Sequence, residues 1–501
     1  MSKFFISTAI PYVNADPHIG FMMELIQADA IARYQRLRGN EVFFLTGTDE
    51  NALKNVQAAE RTNTPVREFI DKHAQRFIDL TNAGNLSNND FIRTTEERHA
   101  RGAQKFWQSC VDAGDIYKKN YKGLYCVGCE EFKTVKDLID GKCPEHGIKP
   151  ETVEEENYFF KLSKYEKDLL RLLESEKLII VPETRRNETL QFIKQGLKDF
   201  SVSRSKTRAK NWGILVPGDD EQIQYVWFDA LTCYINALGY ADNTQEFQEW
   251  WQNGYTTHLL GKGVNRFHTI YWPAMLMSAG LALPKKVFVH GYVNIDGEKI
   301  SKSLGNTVDP FNVIEKYGSE VVRYFLLREI PSGEDGDFSY KKLEERYQAD
   351  LANGLGNLIQ RILTLIESNL FGEINYRENL EDEKIVEFVI KTKESYEKNI
   401  NNFKLHEALG DVFSLVDFAN GYVNQHKPWE LAKSDPDHFL KIMTNLVLTV
   451  LNISFLIYPF MPETAEKILK SFGWGLERGL TELDHQKLVI KKGEVLFPRK
   501  S

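Results

Sequence analysis

The chain has 501 residues, of which 42% are hydrophobic and 27% are charged, a composition typical of soluble globular proteins. This length exceeds what one hydrophobic core supports, so we expect about two to four domains. The net charge of −8 argues against a protein that coats nucleic acid through a general positive field, although it allows a local basic surface. Five cysteines are an odd number, which disfavours a disulfide framework and indicates a reducing compartment.

The sequence carries no obvious targeting or membrane segment. Its opening, MSKFFISTAI, has one lysine and a short apolar run and does not fit a signal peptide. The longest apolar run, residues 446–461, is interrupted by Asn452 and Ser454 and contains Pro459 near its end. We interpret it as a buried core helix and expect a cytoplasmic protein.

Strand and helix patterns alternate in the first part of the chain. FFISTAI at 4–10 predicts a buried strand, because it is short, apolar and rich in β-formers. A helical pattern covers 21–37, and EVFFLTGTD at 41–49 predicts a second strand. DFIRT at 90–94 predicts a third strand, followed by a helix that begins near Glu96. Such alternation is typical of an α/β, Rossmann-like, doubly wound parallel sheet.

The alternation stops near Tyr117. Residues 117–211 contain clustered cysteines and the basic stretch SRSKTRAK, and they predict an insertion with its own small core. Strand-like sequence returns in QIQYVWFDA at 222–230 and KKVFVHGYV at 285–293, where we expect the sheet to be completed. Long amphipathic patterns over 343–470 predict an all-α helical bundle.

The stretch AIPYVNADPHIGF, residues 9–21, joins the first strand to the first helix. A strand that ends in a loop and begins a helix presents unpaired N–H groups and the positive end of the helix dipole, which suit a phosphate. Gly20 lets the chain approach a ligand closely, and His18 can donate to a phosphate oxygen. Because P-H-I-G can also be an ordinary turn with a satisfied histidine, this stretch alone leaves both interpretations open.

A second candidate loop is GYVNIDGEKISKSLGN, residues 291–306, in which Lys299 and Lys302 flank Ser301. Two lysines on a loop can hold a polyphosphate while charge develops in the transition state. A solvated basic turn is the alternative. Both loops follow strands of the predicted doubly wound sheet, whose crevice binds nucleotides, so together they favour a nucleotide site.

The clustered cysteines predict a metal site. C-V-G-C provides Cys126 and Cys129, and C-P-E-H provides Cys143 and His146. Two chelating pairs of this spacing can close a tetrahedral zinc site with four protein ligands. Four ligands leave no position for water, so we predict one structural zinc ion.

The two loops resemble the HIGH and KMSKS signatures of class I aminoacyl-tRNA synthetases. Further motifs narrow the resemblance to the methionyl-tRNA synthetase family, and it extends over essentially the whole chain. These motifs are A-I-P-Y-V-N at 9–14, T-G-T-D-E at 46–50, Y-V-W-F-D-A-L at 225–231, F-H-T-I-Y-W-P at 267–273 and V-L-F-P-R-K at 495–500.

The resemblance implies a two-step reaction. The methionine carboxylate attacks the α-phosphorus of ATP, which releases pyrophosphate and leaves methionyl-adenylate, and the terminal ribose hydroxyl of tRNA(Met) then attacks the acyl carbon. This chemistry needs positioning and charge stabilisation more than a protein nucleophile. The implied partners are ATP with Mg²⁺, L-methionine and tRNA(Met). Because the sequence stops soon after the bundle, we expect a monomer.

The resemblance also implies residue roles. The catalytic residues would be His18, Lys299 and Lys302, with Lys302 the stronger candidate. ATP would be bound by Tyr12, His18, Gly20, Lys299, Ser301 and Lys302. The methionine pocket would contain Ala9, Ile10, Tyr12, Asp49, Trp227, Ala230, Leu231, Tyr234, Val264 and His268. Asp49 can pair with the α-ammonium group, aromatic rings can enclose the thioether, and Tyr234 and the Ile10 backbone can offer weak donors to its sulfur. Without the resemblance, Trp227 and Tyr234 would be interpreted as core aromatics.

In the helical region the resemblance implies that the CAU anticodon is read by Asn357, Arg361, Pro428 and Trp429. Asn357 and Arg361 share one helix face, and Pro428 with Trp429 lies at a predicted helix start. An exposed aromatic ring suits single-stranded RNA, whereas a tryptophan packed into the bundle is the alternative. Residues 303–337 are expected to contact the inside of the tRNA bend.

The predicted domains follow from these patterns and from the resemblance. They are the first half of the catalytic domain at 1–116, the connective insertion with the zinc knuckle at 117–211, the second half of the catalytic domain at 212–290, the KMSKS loop with the stem-contact region at 291–342, and the helical anticodon-binding domain at 343–501.

Three positions near the predicted active site depart from the family pattern. Phe21 replaces the last histidine of HIGH, Asn51-Ala52 stands where His-Gly is usual, and Gly263 replaces an aspartate before Val264. A lost transition-state hydrogen bond can cost about 3 kcal/mol. A catalytically silent tRNA-binding paralogue is therefore the alternative hypothesis. The retained lysines, zinc ligands and anticodon residues favour an active subtype with a repacked ATP site.

Other families fit the sequence less well. Leucyl, isoleucyl and valyl synthetases share the two signatures but carry a far larger editing insertion. Cysteinyl synthetase places its zinc at the amino acid, and a simple nucleotidylyltransferase would lack the helical anticodon region.

Overall fold

A computed structural model describes residues 2–126, 131–133, 135–144, 147–299, 307–377, 380–480, 483 and 486–498. The chain divides into two compact units. The first comprises Met1–Ala28 and Gln35–His290, and the second comprises Asp29–Tyr34 and Gly291–Ser501.

The first unit contains the parallel sheet and the smaller antiparallel sheets. Its strands are β1 (Lys3–Thr8), β2 (Glu41–Thr48), β3 (Asp90–Arg93), β4 (Ile116–Cys126), β5 (Glu131–Lys133), β6 (Glu151–Phe160), β7 (Ile179–Val181), β8 (Phe200–Ser201), β9 (Ser203–Ser205), β10 (Leu215–Val216), β11 (Asp219–Gln224), β12 (Tyr255–Gly261) and β13 (Lys286–His290). Its helices are α1 (Ile19–Leu37, except Asp29–Tyr34, which belong to the second unit), α2 (Leu53–Arg61), α3 (Val66–Ala83), α4 (Glu97–Asp112), α5 (Glu166–Glu174), α6 (Glu183–Lys194), α7 (Val226–Ala230), α8 (Cys233–Asn236) and α9 (Trp272–Ser278).

The central sheet has the strand order β3-β2-β1-β12-β13-β7, and each neighbouring pair is parallel. Ile6 of β1 lies between Phe44 of β2 and Thr257 of β12. The chain moves outward from β1 in one direction through β2 and β3, and in the other direction through β12 and β13. The strand order therefore reverses beside β1, which makes the carboxyl ends of β1 and β12 a topological switch point. The predicted parallel α/β core is confirmed.

One strand prediction is wrong. QIQYVWFDA does not complete the central sheet, because β11 pairs with β9 and β10 in an antiparallel sheet and the aromatic stretch that follows is α7. The Tyr225 carbonyl accepts the N–H groups of Phe228 at 2.8 Å and Asp229 at 3.1 Å, so a helical turn satisfies this backbone. On the side away from β2, the neighbour of β1 is β12. The prediction missed β12 because Thr256, Thr257 and His258 interrupt its apolar pattern.

The predicted insertion, residues 117–211, contains a four-stranded sheet of order β5-β4-β6-β8. Strands β4 and β6 are antiparallel, with Ile116 opposite Phe160. The same stretch also contributes β7 to the central sheet, where it pairs with β13. The boundaries of the insertion stay a prediction.

The second unit is mainly helical. Its helices are α10 (Pro310–Tyr317), α11 (Ser319–Glu329), α12 (Tyr340–Arg346), α13 (Asn357–Leu370), α14 (Glu383–Asn401), α15 (Leu405–His426), α16 (Pro428–Ser434), α17 (Pro436–Ile457) and α18 (Pro462–Ser471), with a π-helical segment at Tyr347–Gly356. Its strands are β14 (Val293–Ile295), β15 (Glu298–Lys299), β16 (Gly336–Phe338), β17 (Glu373–Asn375) and β18 (Lys487–Val489). The predicted helical C-terminal region is confirmed.

Helix α17 contains most of the longest apolar run. Among the described residues it is the helix that is long and apolar enough to cross a membrane, but 78% of its most apolar window is buried inside the protein. Leu446, Val450 and Ile453 are all inaccessible or nearly so. The interpretation of this run as a core helix agrees with that burial.

Candidate active site

The candidate site lies at the carboxyl ends of three neighbouring parallel strands. Ala9 and Ile10 follow β1, Asp49 follows β2, and Val264 lies in the 3₁₀ turn that follows β12. The Ala9 N–H donates to the Leu259 carbonyl at 3.1 Å, which ties the loop after β1 to the end of β12. The fold thus brings these predicted pocket residues to the switch point of the sheet.

Asp49 is a buried carboxylate in a fixed position. Its side chain and backbone are almost inaccessible, and its N–H donates to the Pro11 carbonyl at 2.9 Å. The Asn51 N–H donates to Asp49 Oδ1 at 3.2 Å, and Asn55 Nδ2 donates to the Asp49 carbonyl at 3.0 Å. A buried charge of this kind is stabilised by a cationic partner.

The side chains of Tyr234 and His268 are uncharged, in contrast to the acidic group at Asp49. His268 Nδ1 lies 3.0 Å from the Val264 carbonyl, so Nδ1 carries the proton and donates. His268 Nε2 must then accept from the Tyr234 hydroxyl, which lies 2.6 Å away. Burial lowers the pKa of His268 to about 4, although the Val264 carbonyl opposes this shift. The Tyr234 hydroxyl is therefore held by a neutral imidazole.

A second buried histidine lies beside this pair. His258 Nδ1 is 2.7 Å from the Ser7 hydroxyl, and its ring centroid is 4.4 Å from that of Tyr234. Burial lowers the pKa of His258 well below its ordinary value, and His268 adds to the effect. Both imidazoles are neutral near pH 7, so neither histidine adds a positive charge beside Tyr234.

An aromatic stack flanks the site. The rings of Trp227 and Phe267 lie 3.8 Å apart and nearly parallel, and the Tyr12 ring centroid is 6.2 Å from that of Trp227. Trp227 Nε1 is buried with no hydrogen-bond acceptor among the described residues. Ala230 and Leu231, the other predicted pocket residues on this segment, are buried.

The predicted phosphate loop has a defined histidine tautomer. The Gly20 N–H donates to His18 Nδ1 at 3.1 Å, so the imidazole proton resides on Nε2, which can donate to an anion. The His18 carbonyl accepts from Phe21 N–H at 2.9 Å in the first turn of α1. Lys299 ends β15, and residues 300–306, which include Ser301 and Lys302, lie outside the described residues.

Phe21 packs into the protein core. Its ring lies edge-to-face against Phe77 of α3, with centroids 5.2 Å apart, and it is 9% exposed. This departure from the HIGH pattern is accounted for by packing between α1 and α3.

Two residues at the switch point escaped the sequence analysis. Glu24 Oε1 accepts the Ala9 N–H at 2.8 Å, and Glu24 Oε2 lies 2.7 Å from His290 Nε2. Both side chains are buried. The available signals were a lone carboxylate within the apolar run FMMELI and a histidine at the end of the strand VFVH. Glu24 thus links the loop after β1 to the end of β13.

The sequence is similar to aminoacyl-tRNA synthetases along most of its length. The model of the family described as "tRNA synthetases class I (M)" matches residues 4–149 and 133–363, and that of "Anticodon-binding domain of tRNA ligase" matches 382–493. The methionine–tRNA ligase of Brucella suis is 44% identical over 93% of this chain and 91% of its own length, and that of Thermotoga maritima is 43% identical over 93% and 75%. The Mycobacterium tuberculosis methionyl-tRNA synthetase in complex with methionyl-adenylate has a TM-score of 0.94, 37% identity and full coverage of both chains.

The chain belongs to the methionyl-tRNA synthetase family.

The structure describes two of the four predicted zinc ligands. Cys126, at the end of β4, and Cys143 are both buried. The Cys143 carbonyl accepts the Gly147 N–H at 2.8 Å. Cys129 and His146 lie outside the described residues, and among those described no group of three or more possible ligands could hold a metal ion.

A separate cavity of about 650 Å³ lies in the first unit of this synthetase-family chain. The Arg208 guanidinium lies 4.4 Å over the Tyr125 ring at its wall. The lining also includes Tyr121, Phe159, Phe200, Arg204, Tyr225, Phe267 and Tyr271. Phe267 therefore belongs both to this cavity and to the stack with Trp227.

Two of the four predicted anticodon residues, Arg361 and Trp429, lie together on the surface of the second unit. The Trp429 side chain is 47% exposed, which excludes a tryptophan packed into the bundle. The Arg361 guanidinium lies 5.7 Å from the Trp429 ring centroid and donates to Asn424 Oδ1 at 2.9 Å. Asn357 is exposed at the start of α13, whereas Pro428 is buried at the first position of α16. The structure thus groups an exposed ring with a guanidinium.

The neutral state of His268 predicts a pH-dependent stability. Between pH 6.5 and about 4 an unfolded histidine binds a proton that the folded state does not, so stability falls as pH falls through this window. The full effect corresponds to about 3 kcal/mol. Urea unfolding at pH 7 and pH 4.5 should show a smaller loss for His268→Gln than for the unsubstituted protein. Equal pH dependence in the two proteins would contradict the assignment.

Proposed function

We propose that the chain is a methionine–tRNA ligase. It would convert L-methionine and ATP to methionyl-adenylate and pyrophosphate, and then transfer methionine to the 3′ end of tRNA(Met). The observation that carries this conclusion is the full-length likeness to a synthetase in complex with methionyl-adenylate. The relatives named methionine–tRNA ligase support this activity and do not support the catalytically silent paralogue.

The two ends of the candidate site match the two ends of methionine. Asp49 would receive the α-ammonium group, because a buried carboxylate gains most from a charged hydrogen-bond donor. The Tyr234–His268 pair would lie against the thioether, which needs a polarizable, uncharged environment. Ala9, Ile10, Trp227, Ala230, Leu231 and Val264 would complete the pocket, with Tyr12 shared between methionine and ATP.

The ATP site would use the loop before α1 and the lysine loop. His18 Nε2 would donate to a phosphate oxygen at the positive end of a helix, and Gly20, which has no side chain, would let the chain approach ATP closely. Lys299, Ser301 and Lys302 would hold the remaining phosphates. Magnesium would arrive with ATP, since Mg²⁺ is usually bound through substrate phosphates and few protein ligands.

The adenylation step follows from these roles. A methionine carboxylate oxygen forms a bond to the α-phosphorus while the bond from that phosphorus to the pyrophosphate oxygen breaks. The chain's residues would hold the carboxylate close to the α-phosphorus and neutralise the charge that develops on the departing pyrophosphate. No covalent bond to the protein is required.

Pyrophosphate exchange tests the proposed activity. The protein should catalyse methionine-dependent exchange between ATP and pyrophosphate, and Lys302→Gln should lower the rate about a hundredfold with little change in the KM for methionine. Lys341→Gln, at a surface lysine of the second unit whose side chain is 85% exposed, serves as the matched control. A folded protein without exchange would contradict the enzymatic function, whereas full exchange by Lys302→Gln would contradict the role of that lysine.

We also propose that Cys126, Cys129, Cys143 and His146 hold a structural zinc ion. The two described thiols are both buried, which suits a closed site. Purified protein should contain about one zinc ion per chain by elemental analysis, because a closed four-ligand site binds a single ion. Cys143→Ser should lose zinc and melt at a lower temperature, while Cys110→Ser, at a buried cysteine outside the group, should keep it. Equal zinc contents in the two variants would rule out this ligand set.

The second unit would recognise the tRNA anticodon. Trp429 offers an exposed face for a base to stack on, and Arg361 lies beside it with hydrogen-bonding capacity and positive charge. Asn357 and Pro428 would shape the same surface. Residues 303–337 would contact the inside of the tRNA bend. The five domains would keep the predicted boundaries, with residues 343–501 as the anticodon-binding domain.

Trp429→Ala tests the anticodon surface. Loss of one base–aromatic stack is worth about 1–3 kcal/mol, so the kcat/KM for tRNA(Met) should fall about tenfold or more while pyrophosphate exchange stays unchanged. Phe371→Ala removes an aromatic ring that is 95% exposed in the same unit and should leave both activities unchanged. An unaltered kcat/KM in Trp429→Ala would refute the proposed surface.

Finally, we propose a cytoplasmic, monomeric enzyme. The odd number of cysteines supports a reducing compartment.

A further inference from the structure

We propose that Asn51 is a positioning residue for the amino-acid substrate. It connects the carboxylate of Asp49 to a buried anchor at Asp229, and so holds Asp49 ready for the α-ammonium group of methionine. This inference rests on the proposed function, in which Asp49 receives that group.

Asn51 makes three hydrogen bonds that join separate parts of the site. Its backbone N–H donates to Asp49 Oδ1 at 3.2 Å. Its side-chain nitrogen donates to Asp229 Oδ2 at 3.0 Å and to the Thr94 carbonyl at 3.1 Å. Because the two acceptors take both protons of Nδ2, the orientation of the carboxamide is defined. Residues that follow β2 and β3 are thereby attached to α7.

The anchor at Asp229 depends on Asn51. Asp229 is fully buried in α7, the helix that also carries the pocket residues Trp227 and Ala230. Burial raises the pKa of Asp229 well above its ordinary value, and the hydrogen bond from Asn51 acts against that shift. Asp229 Oδ1 is buried without a partner among the described residues. Removal of the Asn51 side chain would take away the side-chain hydrogen bond to Oδ2, which is costly for a buried polar group, and would leave the Ala230 N–H and the charge of Arg204 to stabilise the carboxylate.

The residue between Asp49 and Asn51 is fixed independently. The Glu50 N–H donates to Thr94 Oγ1 at 2.8 Å, and its carbonyl accepts from Trp212 Nε1 at 2.9 Å. Its carboxylate accepts from Arg93 Nε at 2.7 Å. Loss of the Asn51 side chain should therefore leave the loop folded while the N–H that holds Asp49 gains freedom. The expected defect is local to the ammonium end of the substrate.

The geometry also explains why asparagine can replace the histidine that is usual at this position in the family. A carboxamide nitrogen donates two hydrogen bonds from one atom, and both are used here. Each imidazole nitrogen carries at most one proton, so histidine could serve only one of the two acceptors from the same place. Asparagine at position 51 can therefore do the positioning without the histidine that is usual there.

The test compares ligands that differ in the ammonium group. Binding of methioninol, which keeps the ammonium group and lacks the carboxylate, and of 4-(methylthio)butanoate, which lacks the ammonium group, is measured by calorimetry. Asn51→Ala should weaken methioninol about tenfold, as expected for about 1.4 kcal/mol. It should leave 4-(methylthio)butanoate within about twofold. Asn51→His retains one donor, so its affinity for methioninol should lie between those of the unsubstituted protein and Asn51→Ala. Asn40→Leu removes an amide at the surface of the same unit and should change neither value.

Each outcome of the binding experiment either supports or overturns the positioning role of Asn51. An equal loss of affinity for both ligands in Asn51→Ala would indicate general disruption and overturn the proposal, and so would no loss for either. If Asn51→Ala does not fold, the ratio of the two affinities in Asn51→His applies the same criterion. Because binding is measured without catalysis, absence of pyrophosphate exchange would contradict the proposed enzyme and leave this result standing. Failure of the unsubstituted protein to bind methioninol would overturn both.

Discussion

Strand β1 lies between β2 and β12 in a parallel sheet, and the candidate site takes its position from that pairing. Parallel strands end at the same edge, so the residues that follow β1, β2 and β12 meet although they are far apart in sequence. The bond from the Ala9 N–H to the Leu259 carbonyl and the contact of Glu24 with His290 fix the loops at that edge. The candidate pocket thus lies at the edge of the central sheet of the first unit.

Burial produces opposite electrostatic environments at the two ends of this pocket. At Asp49 the backbone N–H of Asn51 donates to a buried carboxylate. At Tyr234 the hydroxyl donates to a histidine that burial keeps neutral. A ligand with an ammonium group at one end and an uncharged, polarizable group at the other would match both environments. Methionine has this distribution of charge.

The sequence predicted the parts of the fold that depend on local patterns. The parallel α/β core, the helical C-terminal region and the family followed from periodicity and motifs, and each is confirmed. Strand β12 was missed because polar residues interrupt it, and QIQYVWFDA was misassigned because aromatic, β-branched residues also form short buried helices. The outcome for α7 was decided by tertiary packing.

Long-range contacts were beyond sequence reasoning for a physical reason. Glu24, His290 and Asn51 act through partners more than 170 residues away or on other strands, and no local pattern encodes those distances. Asn51 and Phe21 entered the sequence analysis only as departures from a motif. The structure assigns Phe21 to packing against Phe77 and gives Asn51 hydrogen bonds to two buried acceptors.

A crystal structure of the protein with a non-hydrolysable methionyl-adenylate analogue tests the proposed pocket most directly. We expect the α-ammonium nitrogen to lie within hydrogen-bond distance of the Asp49 carboxylate and the sulfur to lie against Tyr234 and His268. A ligand whose ammonium group lies away from Asp49, or whose thioether lies outside the Tyr234–His268 end, would contradict it.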